Sequence, residues 1–510
     1  MGIPSYYKKL VTLLPSLLQR RHPDASIDWF FLDFNCLIYH CLHRPDTPPY
    51  RPLDHDAWER ELISSVVRYT RKVIRRVNPQ KGVVLAIDGV VPMAKMRQQR
   101  LRRFKSAWLA KREAREEAWD KNAITPGTHF MKRLHEGLER MIQEDKGKGE
   151  WSMSSSEEPG EGEHKIMAAW RTGRYQGASA VYGLDADLIV LSLLGHPHLQ
   201  GPLWLFREEI EQGAIAYDAL GEEQMEWFSI DVLESWLSQG ALDAAAFIMQ
   251  YGCAMSVLGN DFLPSSLGLK LREEGHAELL RVLHSLTVPL LYPTTQDICM
   301  EGWYQLFTLL SQTESQRVEA FVSKKQGHAR HATETALGET NWPLAHVEEG
   351  YLMVPRTRML QSDWKKRYAR FVMGQPQRAI EQYLYGIQWI WAYYQGRMSD
   401  VCFNWYYPFS LPPLWEWLRD ALWNDGFPDF PGTVQIRAEE IRPVEQLALV
   451  LPLESWSLIP PGKERRFPYL APQYYPSEFT FESVGKRYFW ECEAQIPLPS
   501  IVELQARLRL

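Results

Sequence analysis

The chain has 510 residues, 57 Lys and Arg against 63 Asp and Glu, and a formal net charge of −6. A hydrophobic content of 45% supports a sizeable core in roughly two to four domains and excludes a disordered or fibrous chain. The mild acidity excludes a protein that coats nucleic acid non-specifically, while leaving room for a local basic groove.

Read from the N-terminus, MGIPSYYKKLVTLLPSLLQRR has only a short apolar run, broken by Pro15, and makes a poor signal peptide. Gly2 opens a myristoylation-like pattern, but Tyr6 stands where that pattern needs Ser or Thr. Over the first 270 residues, short apolar runs end in acids: WFFLDFN (29–35), VVLAIDG (83–89) and AVYGLDADLIVL (180–191). Helical patterns separate them, which predicts parallel strands joined by crossovers, with ligands bound at the carboxyl ends where the acids sit. Between Met93 and Asn122 there is no Gly or Pro, so one helix of roughly 45 Å is expected, long enough to project from the sheet. ITPGTHF (124–130) breaks it, and 144–164 reads as a polar, Gly- and Ser-rich loop. Residues 311–345 turn polar and predict a linker or surface excursion. From 346 to 510, Trp, Tyr and Pro crowd together (QWIWAYY, FNWYYPF, LWEWL), which predicts a mainly helical region with aromatic packing. The expected fold is therefore α/β, with a mostly parallel sheet in 1–310 and a second region in 346–510.

The six cysteines, at 36, 41, 253, 299, 402 and 492, include no Cys-x-x-Cys pair. Neither a disulfide framework nor a zinc knuckle is written here, and a reducing compartment fits. No apolar run of about 18 residues occurs, so no membrane span is expected. The chain reads as intracellular, cytoplasmic or nuclear.

Two sets of residues carry chemistry. The first is acidic: Asp33, Asp88, Glu161, Glu163, Asp185, Asp187 and Asp261. Glu161 and Glu163 flank Gly162, which is expected to let the backbone bend between them. Carboxylates gathered from separate segments repel one another unless hard divalent cations offset the charge. Taken singly, each acid is equally well explained as a helix cap or a solvated loop residue. The second set is basic. Residues 93–115 hold nine Lys and Arg against one acid, with Arg115 as the last. Lys95, Gln99, Arg102 and Arg103 share one helical face and offer donors for a terminal phosphate. A basic helix is otherwise merely a solvated face.

MGIPSYY, LDFNCLIYHC, AIDGVVPMAKMRQQRLRRF, ITPGTHFM, PGEGEHKIM, YGLDADLIVLSLL and GNDFLP follow in one order, and YLYGIQWIWAYYQG, NWYYPF and PVEQLALVLP follow later. Together they resemble the Xrn/Rat-type 5′→3′ exoribonucleases, relatives of the flap-endonuclease superfamily. The resemblance implies that the seven acids bind two Mg²⁺ (or Mn²⁺) ions and that Lys95, Gln99, Arg102 and Arg103 hold a 5′-monophosphate. It further implies processive degradation of single-stranded RNA to 5′-mononucleotides. Tyr39 stands where the family usually has a base-stacking His, and Trp405 is the expected partner aromatic. The larger family members carry long C-terminal tails that this chain is expected to lack. The rival readings are a structure-specific flap endonuclease and a non-catalytic RNA-binding scaffold.

Overall fold

A computed structural model describes residues 5–509 except 114–117, 146, 148, 184, 212–213, 333–341 and 430–433, and only the backbone of 371 and 372. Gly2, Arg115 and residues 333–341 of the expected linker lie outside the described residues.

Helix α1 (Tyr6–Leu13) precedes the short strand β1 (Leu18–Gln19). Then come β2 (Trp29–Asp33), α2 (Phe34–Leu42), α3 (His55–Val77), β3 (Gly82–Ala86) and the basic helix α4 (Met93–Arg112). Next are α5 (His129–Glu144), β4 (Glu150–Ser154), α6 (Gly162–Arg171), β5 (Ser179–Tyr182), α7 (Asp187–Gly195) and β6 (Leu203–Glu208). A two-stranded hairpin, β7 (Ile210–Glu211) and β8 (Ala214–Ile215), leads to β9 (Met225–Ser229). The seven-stranded sheet runs β1-β9-β6-β5-β2-β3-β4. Five successive strands, from β6 to the edge strand β4, are parallel, and β9 and β1 close the other edge antiparallel.

Parity explains why the central strands are apolar throughout. Successive side chains of a strand point to opposite faces, and helices cover both. Trp29, Phe31, Val84, Val181 and Leu205 enter one core, while Phe30, Leu32, Val83, Leu85, Tyr182 and Phe206 enter the other. The chain grows from β2 toward β3 and β4 on one side, then crosses to β5 and β6 on the other. That reversal opens a crevice at the carboxyl ends of β2 and β5, where α/β sheets bind ligands.

After β9 the chain is mainly helical: α8 (Ile230–Leu237), α9 (Ala244–Ala254), α10 (Gly275–Ser285) and α11 (Met300–Ala329). There follow α12 (Trp364–Tyr368), α13 (Pro376–Gln395), α14 (Trp415–Asp425), α15 (Pro443–Val450) and α16 (Phe467–Leu470). The hairpin β10 (Thr480–Glu482) and β11 (Glu493–Gln495) and the helix α17 (Ile501–Arg509) close the chain. Trp389, Tyr393, Trp405 and Leu449 share one core with Phe31 of the sheet, so the aromatic region packs directly on the α/β layer. No described helix is long and apolar enough to cross a membrane.

Two expectations need correction. The basic helix stops at Arg112, about 30 Å from its start, although nothing in its composition ends it there. Tertiary packing overrides propensity: Trp119 is buried against Trp58 and Phe130, and its indole donates to Glu59 at 3.0 Å. Likewise, 311–329 is not a linker but the last two thirds of α11. Its buried Val318, Phe321 and Val322 pack with Leu352, Trp364 and Tyr368, and the polar residues between them line its outer face.

Candidate active site

Strand ends and helix starts deliver the acids to one place. Asp33 is the last residue of β2, and Asp88 lies two residues beyond β3. Glu161 and Glu163 stand at the start of α6, and Asp187 opens α7, all three at helix N-termini that favour negative charge. Asp88 is held by three bonds: Asn35 Nδ2 donates to Oδ2 (2.9 Å), the Gly162 amide donates to Oδ1 (2.7 Å), and the Asp88 amide donates to Asn35 Oδ1 (3.3 Å). Oxygens of Asp33, Asp88 and Glu163 lie within 4.8 Å of one another, and ligand atoms of Glu161, Glu163 and His164 form a second such group.

Gly162 has a role other than the bend expected of it. A Cβ built there would lie 2.5 Å from Asp33 Oδ1 and 2.9 Å from the Ala86 carbonyl. Only glycine lets the start of α6 approach the ends of β2 and β3 closely enough to donate to Asp88.

Crowding shows in the electrostatics. Burial, then Asp88, Asp185 and Asp187, push the Asp33 carboxyl well above the usual carboxylate range. Burial and then Glu161 do the same to Glu163, and burial with Asp185 lifts Asp187 to about 7. Asp261 goes the other way: burial pushes it up, but the nearby cations, Lys95 foremost and Arg102 among them, together hold it below its ordinary value.

Lys95 joins the two constellations. Its Nζ lies 2.5 Å from Glu161 Oε2 and 2.8 Å from Asp261 Oδ2, so the first turn of α4 is tied to both ends of the acidic cluster. Gln98, one residue from the expected Gln99, reaches Asp261 Oδ1 at 3.4 Å. Farther along, Arg103 is buried: Nη2 donates to Thr125 Oγ1 (2.9 Å), and Nη1 is buried with no partner among the described residues. Gln99 Oε1 is also buried and unpartnered, while Arg102 is exposed. The unpaired Arg103 Nη1 is a donor available to an anion. Burial holds the Arg103 guanidinium down at about 10, opposed by the nearby Tyr39. Tyr39 is half-buried on α2 beside this pocket, whereas His40 turns away into the second core, 4.5 Å from the Tyr69 ring.

Trp405 is not brought to this face, which corrects the expectation for it. It is 3% exposed, its indole donates to Gln382 Oε1 at 2.9 Å, and its ring lies 5.1 Å from Trp389. The cause is Gly386 on α13, where a Cβ would come within 2.9 Å of the Trp405 ring; the bare backbone opens a slot that the indole fills. Trp405 acts from behind. Trp389 stacks on Tyr393 at 5.1 Å, and the Tyr393 hydroxyl donates to Glu161 Oε1 at 3.0 Å. His164 stacks on Tyr393 at 3.9 Å, and burial, then Lys95 and Arg171, keeps its imidazole well below the usual range and neutral.

Sequence reading missed Asn35, His164, Lys165 and Tyr393. Lys165 Nζ donates to the carbonyls of Ile87 (2.6 Å) and Ser155 (2.7 Å), locking the loops on either side of Asp88. Asn35, two residues after Asp33, and His164 and Lys165, directly after Glu163, were legible as neighbours of the acids. Tyr393 lies 230 residues beyond Glu163 among many aromatics and gave no signal.

Residues 1–209 match the family described as the XRN 5'-3' exonuclease N-terminus. The chain is 27% identical to 5'-3' exoribonuclease 1 of Homo sapiens over 98% of its own length and 33% of that protein. It is 31% identical to 5'-3' exoribonuclease 2 of Saccharomyces cerevisiae over 55% of this chain and 35% of that protein. For 5'-3' exoribonuclease 1 of Schizosaccharomyces pombe the figures are 31%, 57% and 24%. The chain thus spans about a third or less of the length of these relatives.

Proposed function

We propose that this relative of the Xrn-type 5′→3′ exoribonucleases removes nucleotides processively from the 5′-monophosphorylated end of single-stranded RNA. The observation that carries the reading is Lys95, whose two ion pairs fasten the phosphate-type donors of α4 to the carboxylate cluster. A reacting phosphodiester one nucleotide from an end held on α4 would therefore meet the acids.

The carboxylates fit hard divalent cations: they bring oxygen ligands from separate segments, and Asp33 and Glu163, both buried, are held above the usual carboxylate range by burial first and by neighbouring acids next. Asp33, Asp88, Glu161, Glu163, Asp185, Asp187 and Asp261 would hold Mg²⁺ or Mn²⁺. Bound there, such ions supply an activated water and offset charge on the reacting phosphate. The rest falls to the protein. Tyr393 and Lys95 orient Glu161, while Asn35 and the Gly162 amide orient Asp88. The free donor of Arg103, the amide of Gln99 and the exposed guanidinium of Arg102 take the terminal phosphate, and Tyr39 offers its ring to the first base. The division into a catalytic region (1–310) and a region supporting it (346–510) belongs to this proposal.

The test is a 3′-labelled single-stranded RNA bearing a 5′-monophosphate, 5′-triphosphate or 5′-hydroxyl, incubated with Mg²⁺. Mononucleotide release from the monophosphate alone is expected, and Arg103→Ala should weaken that preference about 10–100-fold. Equal rates on monophosphate and hydroxyl ends would overturn the end-selection reading. Release of oligonucleotides from a 5′-flap would favour an endonuclease, and binding without cleavage a scaffold.

A further inference from the structure

Helix α4 has a second occupied face. At about 100° per residue, Lys95, Gln99 and Arg103 point one way, whereas Gln98, Leu101 and Lys105 point roughly a third of a turn aside. That second face lines an adjoining cavity of about 290 Å³, bounded by the Gly259–Glu273 loop, Phe321 of α11 and the Gly485–Glu493 segment, and sharing Arg102 and Asp261 with the site described above. Seven cations and four acids line it. The acids are answered: Glu493 by Arg97 (3.4 Å) and Lys486 (3.7 Å), Glu491 by Arg272 (3.4 Å), Glu273 by Arg487 (2.8 Å) and Asp261 by Lys95 (2.8 Å).

Arg102, Lys105 and Lys270 have no carboxylate partner among the described residues. Lys105 Nζ donates to the carbonyls of Phe489 and Cys492 (2.8 Å to the latter) and lies over the Phe489 ring at 4.4 Å. Lys270 Nζ has the Ser265 hydroxyl at 3.3 Å and rests over the Phe321 ring at 5.1 Å. Apolar side chains fill out the wall, and Trp490 presents an indole at the rim with the Arg272 guanidinium 4.6 Å from its ring. Unanswered cations beside aromatic faces are the recognition chemistry of a nucleotide: phosphate on the ammonium and guanidinium groups, base on a ring. The volume sits at the small end for ligand pockets and suits one nucleotide rather than a strand.

We propose that this cavity is a second nucleotide site that binds a free nucleoside 5′-monophosphate, its phosphate on the neighbouring Lys270, Lys105 and Lys486 and its base against Trp490. Burial, with Lys486 next, holds the Lys270 ammonium down at about 7, and an arriving phosphate dianion relieves that loss of charge. The inference rests on the proposed nuclease reading in one respect: nucleoside 5′-monophosphates are that reaction's product, released on the other side of Arg102 and Asp261.

Equilibrium dialysis of radiolabelled AMP against the full chain in Mg²⁺ tests it without turnover. Two equivalents are expected, one weakened about 10–100-fold by Lys486→Ala or Lys270→Met and the other by Arg103→Ala. Lys486 lies at the pocket rim, so Lys486→Ala decides the matter if Lys270→Met fails to fold. Neither lysine touches the catalytic acids, and RNA decay at saturating substrate should be unchanged in both variants. A single equivalent insensitive to Lys486→Ala overturns the proposal. So does displacement of the Lys486-dependent AMP by a short 5′-hydroxyl RNA at comparable affinity, which would make the cavity a strand path. Lys486-dependent AMP binding by a chain that degrades no RNA would sink the nuclease reading and leave the pocket standing.

Discussion

At the scale of single residues, the acids do two opposed things: they gather charge for function and strain the fold that gathers it. Glu163→Ala and Asp185→Ala are expected to lower cleavage on the order of 10²-fold or more, since each would remove a proposed ligand of the cations that offset charge on the reacting phosphate. Glu163→Ala should also raise thermal stability without metal, because Glu163 is buried against Glu161 and Asp33 and pushed well above its ordinary range. Paired calorimetry and RNA-decay assays check both, and full activity of either variant in Mg²⁺ removes it from the catalytic set. Tyr39 and His40 give a cleaner contrast, adjacent in sequence but facing different surroundings. Tyr39→Ala should remove a stacking contact of about 1–3 kcal/mol. Shortened intermediates would then accumulate on a 3′-labelled RNA. His40→Ala disturbs a buried site beside Tyr69, Glu208 and Glu223, and should cost stability without releasing intermediates. The reverse pattern would show that the register of LDFNCLIYHC was misread.

At the scale of elements, the site depends on how closely α6 meets the sheet. Gly162→Ala is expected to abolish most cleavage while leaving a folded protein. Its Cβ would press on Asp33 Oδ1 and the Ala86 carbonyl, driving α6 outward and breaking the amide bond to Asp88. Wild-type rates in Gly162→Ala, measured alongside circular dichroism, would rule out close approach as the reason for the glycine. The junction of α11 and α14 carries a different burden. Both oxygens of the buried Glu314 accept the Trp415 amide at the start of α14 (3.1 and 3.2 Å). Burial pushes this carboxyl up to about 8, against the bond from Trp415 and the pull of Lys365. A carboxyl raised on folding binds more protons folded than unfolded between about 4.5 and 8, so its contribution falls as pH rises through that window. Glu314→Gln keeps the acceptor and removes the charge. It should match the wild type near pH 5 and exceed it at pH 8.5 by on the order of a few kcal/mol. Parallel denaturation curves at the two pH values check this, and an unchanged difference between them would mean that Glu314 does not titrate in this window.

At the scale of the molecule, sequence alone settled what local chemistry settles. Short apolar runs, acids at their ends and nine cations within residues 93–115 are properties of short segments, and so the α/β class, the candidate acids and the basic helix were all legible. Where segments meet was not. The end of α4 at Arg112, the run of α11 through a polar stretch and the burial of Trp405 each follow from contacts between residues far apart in the chain. Glycine carries no letter-level sign of why it is there; Gly162 and Gly386 became interpretable only when Asp33 and Trp405 stood against them. The same limit hid Tyr393, which reaches Glu161 across 232 residues, and left the two faces of α4 undivided. Periodicity reports which residues share a side of a helix. What each side confronts, a carboxylate cluster or a cavity walled by Lys270 and Lys486, depends on long-range packing, which no window of sequence contains.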